Sequence, residues 1–173
     1  MSDQRVDASA LSNRRSRMVL SIYLAVFVAA AIGMTVYGFK VVSDVKARAR
    51  LSDAALRLVA WQILVYSDRE GAFPTEEPSD LARLGTVERL DGALAADSSA
   101  EWPSDRAAAG DEIGVDIDPS EAAKIVIVSW PPSSDLPPVL GVGGRPSGLV
   151  PGGTTLELVN GWLRAARDQL GRD

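Results

Sequence analysis

The chain has 173 residues, a formal net charge of −5, and neither cysteine nor histidine. Without these two residue types it has no disulfides, no thiolate sites, no Ser-His-Asp or Cys-His catalytic sets and no histidine-containing zinc motifs. We therefore expect a protein that is not an enzyme and that uses no small-molecule substrate.

The charge is divided unevenly along the chain. Residues 1–50 hold eight Lys and Arg against three Asp, whereas residues 51–173 hold ten basic against twenty acidic residues. The acidic part repels phosphate backbones, so we expect no nucleic-acid partner. The basic residues of the first part flank an apolar segment, which is typical of membrane flanks that meet anionic headgroups.

The apolar segment, Met18–Phe39, has 22 residues without a charge. As a helix it is about 33 Å long, enough to cross a hydrocarbon core of about 30 Å. This length favours an uncleaved transmembrane helix after a basic tail (residues 1–17) over a cleaved signal peptide, whose apolar core has about 7–15 residues. A twin-arginine export signal that uses Arg14 and Arg15 is a third interpretation, but the residues that follow fit it poorly.

The orientation of this helix rests on the basic residues at its two ends. Four lie on each side: Arg5, Arg14, Arg15 and Arg17 before the segment, and Lys40, Lys46, Arg48 and Arg50 after it. The positive-inside count is therefore tied. The tight cluster at Arg14–Arg17 favours a cytoplasmic N-terminus. We predict a single-pass protein of the bacterial inner membrane whose C-terminal domain is extracytoplasmic.

Small residues recur every four positions within the apolar segment, at Ser21, Ala25, Ala29 and Gly33. Such a ridge lets a second membrane helix approach closely. The alternative is that alanine is simply abundant in this chain. The ridge predicts partners, or a second copy of the chain, bound through the transmembrane helix, and the acidic domain offers a second surface for protein partners.

The helical pattern continues beyond the membrane over residues 40–68. One seam follows 3-4 spacing through Val42, Val45, Ala49, Ser52, Leu56, Val59, Ile63 and Tyr66. Charged residues occupy the other faces up to Leu51, whereas residues 54–66 are apolar nearly all round. Such a helix must be covered on most sides. We predict that it enters, and is buried in, a small domain formed by residues 69–173.

The end of this helix carries a distinct set of residues: Tyr66, Gly71, Phe73, Pro74 and Thr75. A glycine can adopt the left-handed conformation that ends a helix, and a proline prevents its resumption. A short helix is then predicted from an N-cap at Ser79 through Leu81 and Leu84 to Gly85.

This order and spacing of residues resembles the type IV pilin and type II secretion pseudopilin family over residues 14–85. The resemblance implies an α+β fold, in which a long N-terminal helix spans the membrane and continues into a small antiparallel-sheet domain. It also implies a structural or assembly role in a type II secretion or type IV pilus-like apparatus. The family's peptidase site, a glycine followed by Phe-Thr-Leu-x-Glu, does not follow Arg17. We therefore expect a protein that stays anchored.

In the domain we predict a surface excursion over residues 86–112 with a helical fragment at Val87–Ala96. Alternation predicts a strand at Ile113–Asp118, and a β-branched run predicts another at Ala123–Trp130. The turn Pro119–Ala122 would join them as an antiparallel pair. A third strand is predicted at Val139–Val142.

Two loops and two carboxylates are candidate sites. Trp130–Pro138 is either a stiff exposed connector or a segment that a partner protein binds in a groove. Gly141–Gly148 is a flexible loop, because it lacks the Lys-Ser/Thr of phosphate-binding loops. Asp116 and Asp118 would share one strand face, where they are either solvated or ligands of Ca²⁺, the one cofactor considered.

At the C-terminus, Thr154 and Glu157 have the spacing of a capping box. Apolar residues then follow helical spacing: Leu156, Val159, Leu163, Ala166 and Leu170. An alternative makes residues 154–159 a strand and begins the helix at Trp162. In both cases Trp162 and Leu163 dock on the core.

The preferred hypothesis is a membrane-anchored, pilin-like structural or assembly component. The alternative is a single-pass, membrane-anchored extracytoplasmic binding module unrelated to pili, which uses the proline-rich loop or the acidic face. A third hypothesis, an anchored hydrolase that uses Asp116 and Asp118, has the least support from the sequence.

Overall fold

The computed structural model describes residues 4–95, 100–110 and 115–171, with side chains from residue 17 onward. The chain forms two compact units, Met1–Asp44 and Val45–Asp173. Helix α1 (Gln4–Glu70) supplies all of the described structure of the first unit and the first element of the second.

The second unit mixes short helices with two small antiparallel sheets. After α1 the described elements are α2 (Leu81–Leu84), α3 (Arg106–Gly110), α4 (Pro119–Ile125), β1 (Ile127–Ser129), β2 (Val139–Gly141), β3 (Leu149–Val150), β4 (Gly153–Thr154) and α5 (Thr155–Leu170). β1 pairs with β2, and β3 pairs with β4. The α+β class and the long apolar N-terminal helix are confirmed.

The core of the second unit is built around residues 54–65 of α1. All of these residues except the half-buried Leu58 are buried. The apolar side chains that cover this part of the helix come from every later part of the domain, including Phe73, Leu84, Leu94, Ile125, Leu140, Val159 and Leu163. The prediction that the second half of the long helix is buried is confirmed. Each fully buried leucine or isoleucine contributes about 1.5–3 kcal/mol of transfer free energy.

The predicted end of the helix is also confirmed. α1 ends at Glu70, and Gly71 follows with φ +67°. The Gly71 N–H donates to the Ser67 carbonyl at 2.9 Å, which continues the helical hydrogen bonding by one residue. Phe73 turns back into the core and is 2 % exposed. The left-handed glycine therefore brings the chain back onto the helix that it has just left.

The predicted N-cap of α2 is wrong by one residue. Asp80, not Ser79, precedes the helix, and its side chain makes no capping hydrogen bond. The helix has only four residues, and burial of Leu81 and Leu84 holds it in place. Packing rather than capping therefore sets its boundaries.

The helical fragment predicted at residues 87–96 is wrong for residues 87–95, and Ala96 lies outside the described residues. This segment is an irregular loop fixed by the buried carboxylate of Asp68. The Asp68 carboxylate accepts hydrogen bonds from the backbone N–H groups of Asp91 (2.9 Å), Gly92 (2.8 Å) and Leu94 (2.6 Å). The Asp68 carbonyl accepts from Ala93 N–H at 3.1 Å. These bonds replace helical ones and place Leu94 fully inside the core.

The loop can approach Asp68 so closely only because residue 92 is a glycine. A Cβ atom at Gly92 would lie 2.2 Å from the Asp68 carbonyl oxygen. The segment predicted to lie on the surface is thus partly buried, since Leu94 belongs to the core.

The two strands predicted at residues 113–118 and 123–130 are largely wrong. Residues 115–118 are irregular, and Ile113 and Gly114 lie outside the described residues. The expected turn Pro119–Ala122 is instead the first turn of α4, with Asp118 as N-cap and Pro119 in the first turn. A capping aspartate followed by proline starts a helix, and here it outweighs the β-branched character of the residues that follow.

Only residues 127–129 of the second predicted strand form a strand, β1. They pair antiparallel with β2, with Val128 opposite Leu140, so the expected partner segment was wrong. The strand predicted near Val139 is confirmed as β2. The hairpin of β3 and β4 was not predicted, since its strands have two residues each and carry no alternation.

Helix α5 is confirmed over the predicted residues, and the alternative strand at residues 154–159 is wrong. Thr154 and Glu157 form a complete capping box. Trp162 and Leu163 are buried, as expected. Asn160 has a defined role within the helix, because its side-chain amide accepts from Leu140 N–H at 2.9 Å and donates to the Leu140 carbonyl at 3.2 Å. It fixes β2 against α5.

We expect Asp68→Ala to destabilise the second unit by about 2–4 kcal/mol, because three backbone donors lose a charged acceptor and one of them is buried. Urea denaturation of the full chain in detergent micelles, followed by tryptophan fluorescence, measures this, since Trp61 and Trp162 are buried. Glu70→Ala, an exposed carboxylate two residues along the same helix, is the control. A loss no larger than that of the control would contradict the role of Asp68.

The capping box predicts a pH dependence. The Glu157 carboxylate accepts from the Thr154 N–H (2.8 Å) and from its hydroxyl (3.0 Å). These two hydrogen bonds, the backbone bond first, hold the pKa of Glu157 below its usual range. Because the folded state prefers the ionised form, this stabilisation is present above the usual glutamate range and is lost as pH falls through the lowered pKa.

We therefore expect Glu157→Gln to be less stable than the wild type at about pH 7 and to approach it at about pH 3, since glutamate titrates near pH 4.3. The urea midpoints of both proteins at the two pH values measure this. Glu76→Gln, at an exposed position, corrects for the change in net charge. A stability gap that stayed constant between the two pH values would contradict the role given to the ionised carboxylate.

Candidate functional site

The first candidate surface is the apolar segment Met18–Phe39 of α1. Every side chain of this segment is exposed within the first unit. Among the described residues, α1 is the one helix that is long and apolar enough to cross a membrane. A helix that contributed such residues to a soluble core would bury them, and this segment buries none. It is compatible with a single membrane span.

The small-residue ridge lies within this exposed segment. Ser21, Ala25, Ala29 and Gly33 are all exposed, and a Cβ atom built on Gly33 would meet no atom within 4 Å. The Ser21 hydroxyl donates to the Arg17 carbonyl at 2.9 Å, so it needs no other acceptor inside a lipid environment. The ridge therefore offers a shallow groove along one side of the helix, the shape that a second helix fills at close range.

The residues that carry the family resemblance act together as the end of α1. Gly71 reverses the chain, and Phe73 and Pro74 are buried. The Phe73 N–H donates to the Ser134 carbonyl at 3.0 Å, which ties this stop to the loop between β1 and β2. Tyr66 is half-buried against the core and Thr75 is exposed. Three of the five, Gly71, Phe73 and Pro74, thus return the chain to the core after the helix ends, and Tyr66 packs against the core.

The two carboxylates predicted as calcium ligands, Asp116 and Asp118, have different surroundings. Asp118 caps α4: its carboxylate accepts from Ser120 N–H at 2.8 Å and from the Ser120 hydroxyl. The hydroxyl bond, followed by the backbone one, holds the pKa of Asp118 below its usual range. Asp116 is exposed two residues earlier and lines a cleft. Within the part of the chain that the structure describes, no three acidic, histidine or cysteine side chains are grouped as metal ligands. Calcium binding stays a prediction.

That cleft is the second candidate surface, and it was not expected from the sequence. It has a volume of about 430 Å³ and lies beside α1. Its apolar floor is formed by Ala54, Leu58 and Trp61, and its rim carries Arg106 and Asp116. Trp61 is held in place by its indole N–H, which donates to the Val87 carbonyl at 2.9 Å.

Arg57 is the charged group of this cleft that reaches farthest into the core. It is 3 % exposed, its guanidinium donates to the Ala109 carbonyl at 3.4 Å, and it lies 5.8 Å from the Trp162 ring centre. Buried arginines need such partners, because an uncompensated charge in the core is costly. The sequence signal was visible: Arg57 is the one charged residue in the apolar stretch 54–66.

The proline-rich segment Trp130–Pro138 and the glycine-rich segment Gly141–Gly148 are both attached to the core. In the proline-rich segment, Pro131 and Pro138 are buried while residues 132–136 are exposed, so it connects β1 to β2 with its ends fixed. In the glycine-rich segment, Gly143 and Gly144 have positive φ. Its last residues, Ser147 and Gly148, are hydrogen-bonded to the buried Asp53 carboxylate. The glycine-rich loop is therefore attached to α1 at this end, and its flexibility stays a prediction.

Comparison with known proteins gives no match: no protein-family model, no curated protein and no solved structure is significantly similar to this chain.

The ridge generates a prediction about helix association. Ala25→Ile together with Gly33→Ile should weaken association of the full chain in vesicles by about 1–2 kcal/mol, because bulky side chains keep the helix backbones apart. Energy transfer between two labelled populations of the protein, diluted with lipid, measures this. The matched control is Ala31→Ile with Gly38→Ile, which lie on the opposite side of the helix at 100° per residue. Equal loss in both pairs would mean that the ridge has no special role.

Proposed function

We propose that the protein is a membrane-anchored, pilin-like structural or assembly component of a type II secretion or type IV pilus-like apparatus. It is held in the bacterial inner membrane by one span, with the second unit outside the cytoplasm. The observation that carries this proposal is helix α1, which includes both an exposed apolar segment long enough for a membrane span and the buried centre of a folded domain.

The first support is that α1 forms the centre of the core of the second unit. A domain that only needed a tether would fold by itself and follow a polar linker. Here the helix residues 54–65 form the centre of the core, and later segments pack around them. The domain thus depends on the helix, and a load on the helix would be carried by the core. This suits a protein whose role is mechanical or architectural.

The second support is the end of α1. The left-handed Gly71 and the buried Phe73 return the chain to the helix in the order that resembles the pilin family. The sheets differ from the expected single sheet, since each described sheet has two strands. The proposal therefore rests on the helix and its end, and the sheets do not support it.

The third support is the exposed ridge on the apolar segment. Components of membrane assemblies bind each other partly through transmembrane helices, and small residues permit that contact. Since the pilin peptidase motif does not follow Arg17, the proposed role is that of a subunit that keeps its basic tail and remains in the membrane.

The proposal predicts a defined set of partners. Affinity purification of the tagged full chain from native membranes, after cross-linking, should enrich the ATPase, platform or pilin-like proteins of such an apparatus. The Ala25→Ile, Gly33→Ile pair should reduce this enrichment, whereas Ala31→Ile with Gly38→Ile should preserve it. Absence of every secretion or pilus component from the wild-type sample would refute the proposal.

Mass spectrometry of the mature N-terminus tests the anchoring itself. We expect residues 1–17 to be intact, because the length of the apolar segment favours an uncleaved span. An N-terminus that begins beyond Phe39 would show removal of the segment and would refute a permanent anchor.

A second candidate function, an anchored binding module unrelated to pili, is favoured by the cleft beside α1. Its apolar floor and its charged groups, Arg57 and Arg106, are the combination found in ligand-binding clefts. Arg106→Ala tests it, since this half-buried arginine contacts Glu88 at 3.8 Å and is not part of the core. Loss of partners with this variant, but not with the ridge variants, would favour the binding module.

A further inference from the structure

One end of the second unit presents apolar and basic side chains together. This surface, called the entry face here, comprises Arg48, Leu51, Ile127, Arg145 and Leu149, and it lies where the unit's segment of α1 begins. Arg48 and Leu51 line a shallow pocket of about 410 Å³ with the loop Gly143–Pro146, which contains Arg145. Ile127 borders the same loop, because a Cβ atom on Gly143 would lie 3.1 Å from its Cδ1.

The apolar members of the entry face are unusually exposed. Leu149 is 87 % exposed, more than any other large apolar side chain of the described residues, and Ile127 is 57 % exposed. Leu51 adds a third apolar side chain at 38 %. A single exposed leucine needs no explanation. A cluster of exposed apolar side chains bordered by cations is typical of a surface that binds a membrane or another protein.

The core holds the entry face in a fixed position. The buried carboxylate of Asp53 accepts from Gly148 N–H at 2.9 and 3.0 Å and from the Ser147 hydroxyl at 3.1 Å. A Cβ atom on Gly148 would lie 2.2 Å from the Asp53 carboxylate, so only glycine permits this approach. Leu149 follows directly and pairs with Thr154 in the β3–β4 hairpin. It is therefore presented to the outside from a fixed backbone, since both of its flanks are hydrogen-bonded.

The charge of the entry face is opposite to that of the rest of the domain. Residues 51–173 carry twice as many acidic as basic residues, yet Arg48 and Arg145 are both exposed here. Two carboxylates of this end of the unit are engaged in hydrogen bonds of their own, since Asp53 holds the loop and Glu157 completes the capping box of α5. The arginines thus give this end of the domain a local positive charge.

We propose that the entry face docks on the anionic headgroups of the membrane that holds Met18–Phe39. This inference rests on the membrane anchoring of the proposed function. The occupant follows from continuity of the chain, because Leu51 comes only 12 residues after Phe39, where the apolar segment ends. A connection this short raises the local concentration of lipid surface at the entry face. Leucine and isoleucine insert at the interface, and arginines bind acidic headgroups.

The cations set the expected size of the effect. Each arginine near an anionic surface changes the binding equilibrium by about fivefold, so Arg48→Gln with Arg145→Gln should lower the docking equilibrium roughly 30-fold. Added salt should also weaken docking, because it screens the attraction between the arginines and the anionic headgroups. Neither arginine is buried, so the variant is expected to fold.

The absence of native cysteine allows a single label to report docking. We would place a fluorophore on Pro151→Cys, at the exposed turn between β3 and β4, in the full chain reconstituted into vesicles. The vesicles would contain phosphatidylcholine, phosphatidylglycerol and a lipid with a nitroxide on its headgroup. We expect strong quenching at position 151 and little at Glu76→Cys, a control label beyond the other end of the α1 segment.

The arginine variant should lose most of the quenching at position 151, as should vesicles that lack phosphatidylglycerol. The matched control variant, Arg69→Gln with Arg83→Gln, neutralises two exposed arginines away from the entry face and should retain it. Absence of quenching at position 151 in the wild type would overturn the inference. Quenching that ignored lipid charge but rose with protein density would also overturn it, in favour of contact with a second copy of the chain.

A label on Val28→Cys separates this inference from the proposed function. A nitroxide at the centre of the lipid chains should quench that label if the apolar segment spans the membrane. Quenching at position 28 without quenching at position 151 would refute docking and leave the anchor intact. No quenching at position 28 would refute the anchor and the docking inference together.

Discussion

The need to cover a helix that is apolar nearly all round governs the structure of the second unit. Residues 54–65 of α1 contain the largest fully buried side chains of the domain, among them Trp61, Leu56, Ile63 and Leu64. No single sheet or helix can cover a cylinder of about 10–12 Å diameter from all sides. The domain covers it with the 16-residue helix α5, which buries Val159, Trp162, Leu163 and Ala166, and with several short elements that contribute one or two apolar side chains each. This explains why its strands have only two or three residues and yet its core is continuous.

Besides the apolar packing, two buried carboxylates on α1 hold loops of the domain in place. Asp53 fixes the glycine-rich loop near the start of the buried segment, and Asp68 fixes the loop at residues 91–94 near its end. Both accept hydrogen bonds from backbone N–H groups, which would otherwise be buried without partners. Each loop reaches its carboxylate through a glycine, Gly148 or Gly92, where a side chain would collide. The helix thus supplies both the apolar surface and the polar contacts that position the loops on it. The loop held by Asp53 is also the one that presents the entry face.

Local signals predicted the elements that depend on local chemistry. The apolar segment, the end of α1 at Gly71, the strand β2 and the capping box of α5 were all correct, because charge-free length, a left-handed glycine and Thr-x-x-Glu spacing act within a few residues. Apart from the N-cap of α2 and the unpredicted β3–β4 hairpin, the errors in the elements lie between residues 87 and 130. There the β-branched and alternating patterns predicted strands, but Asp118 and Pro119 begin a helix, and Asp68, distant in sequence, determines the path of residues 91–94.

Among the candidate sites, too, one could be predicted from local sequence and the others could not. The exposed ridge at Ser21–Gly33 follows from spacing alone, and the structure leaves it uncovered in the first unit. The cleft with Arg57 and Trp61 and the entry face were not visible in the sequence, since their members are separated by up to about a hundred residues and meet only after folding.

The sequence by itself determined that one helix of this protein is both apolar enough to span a membrane and apolar enough to need a domain around it. It did so because hydrophobic length and periodicity are properties of neighbouring residues. Only the tertiary structure decided which segments cover that helix, which carboxylates hold them, and which apolar and basic side chains remain outside. Those outcomes depend on contacts between distant residues, where burial and backbone hydrogen bonding override local preference.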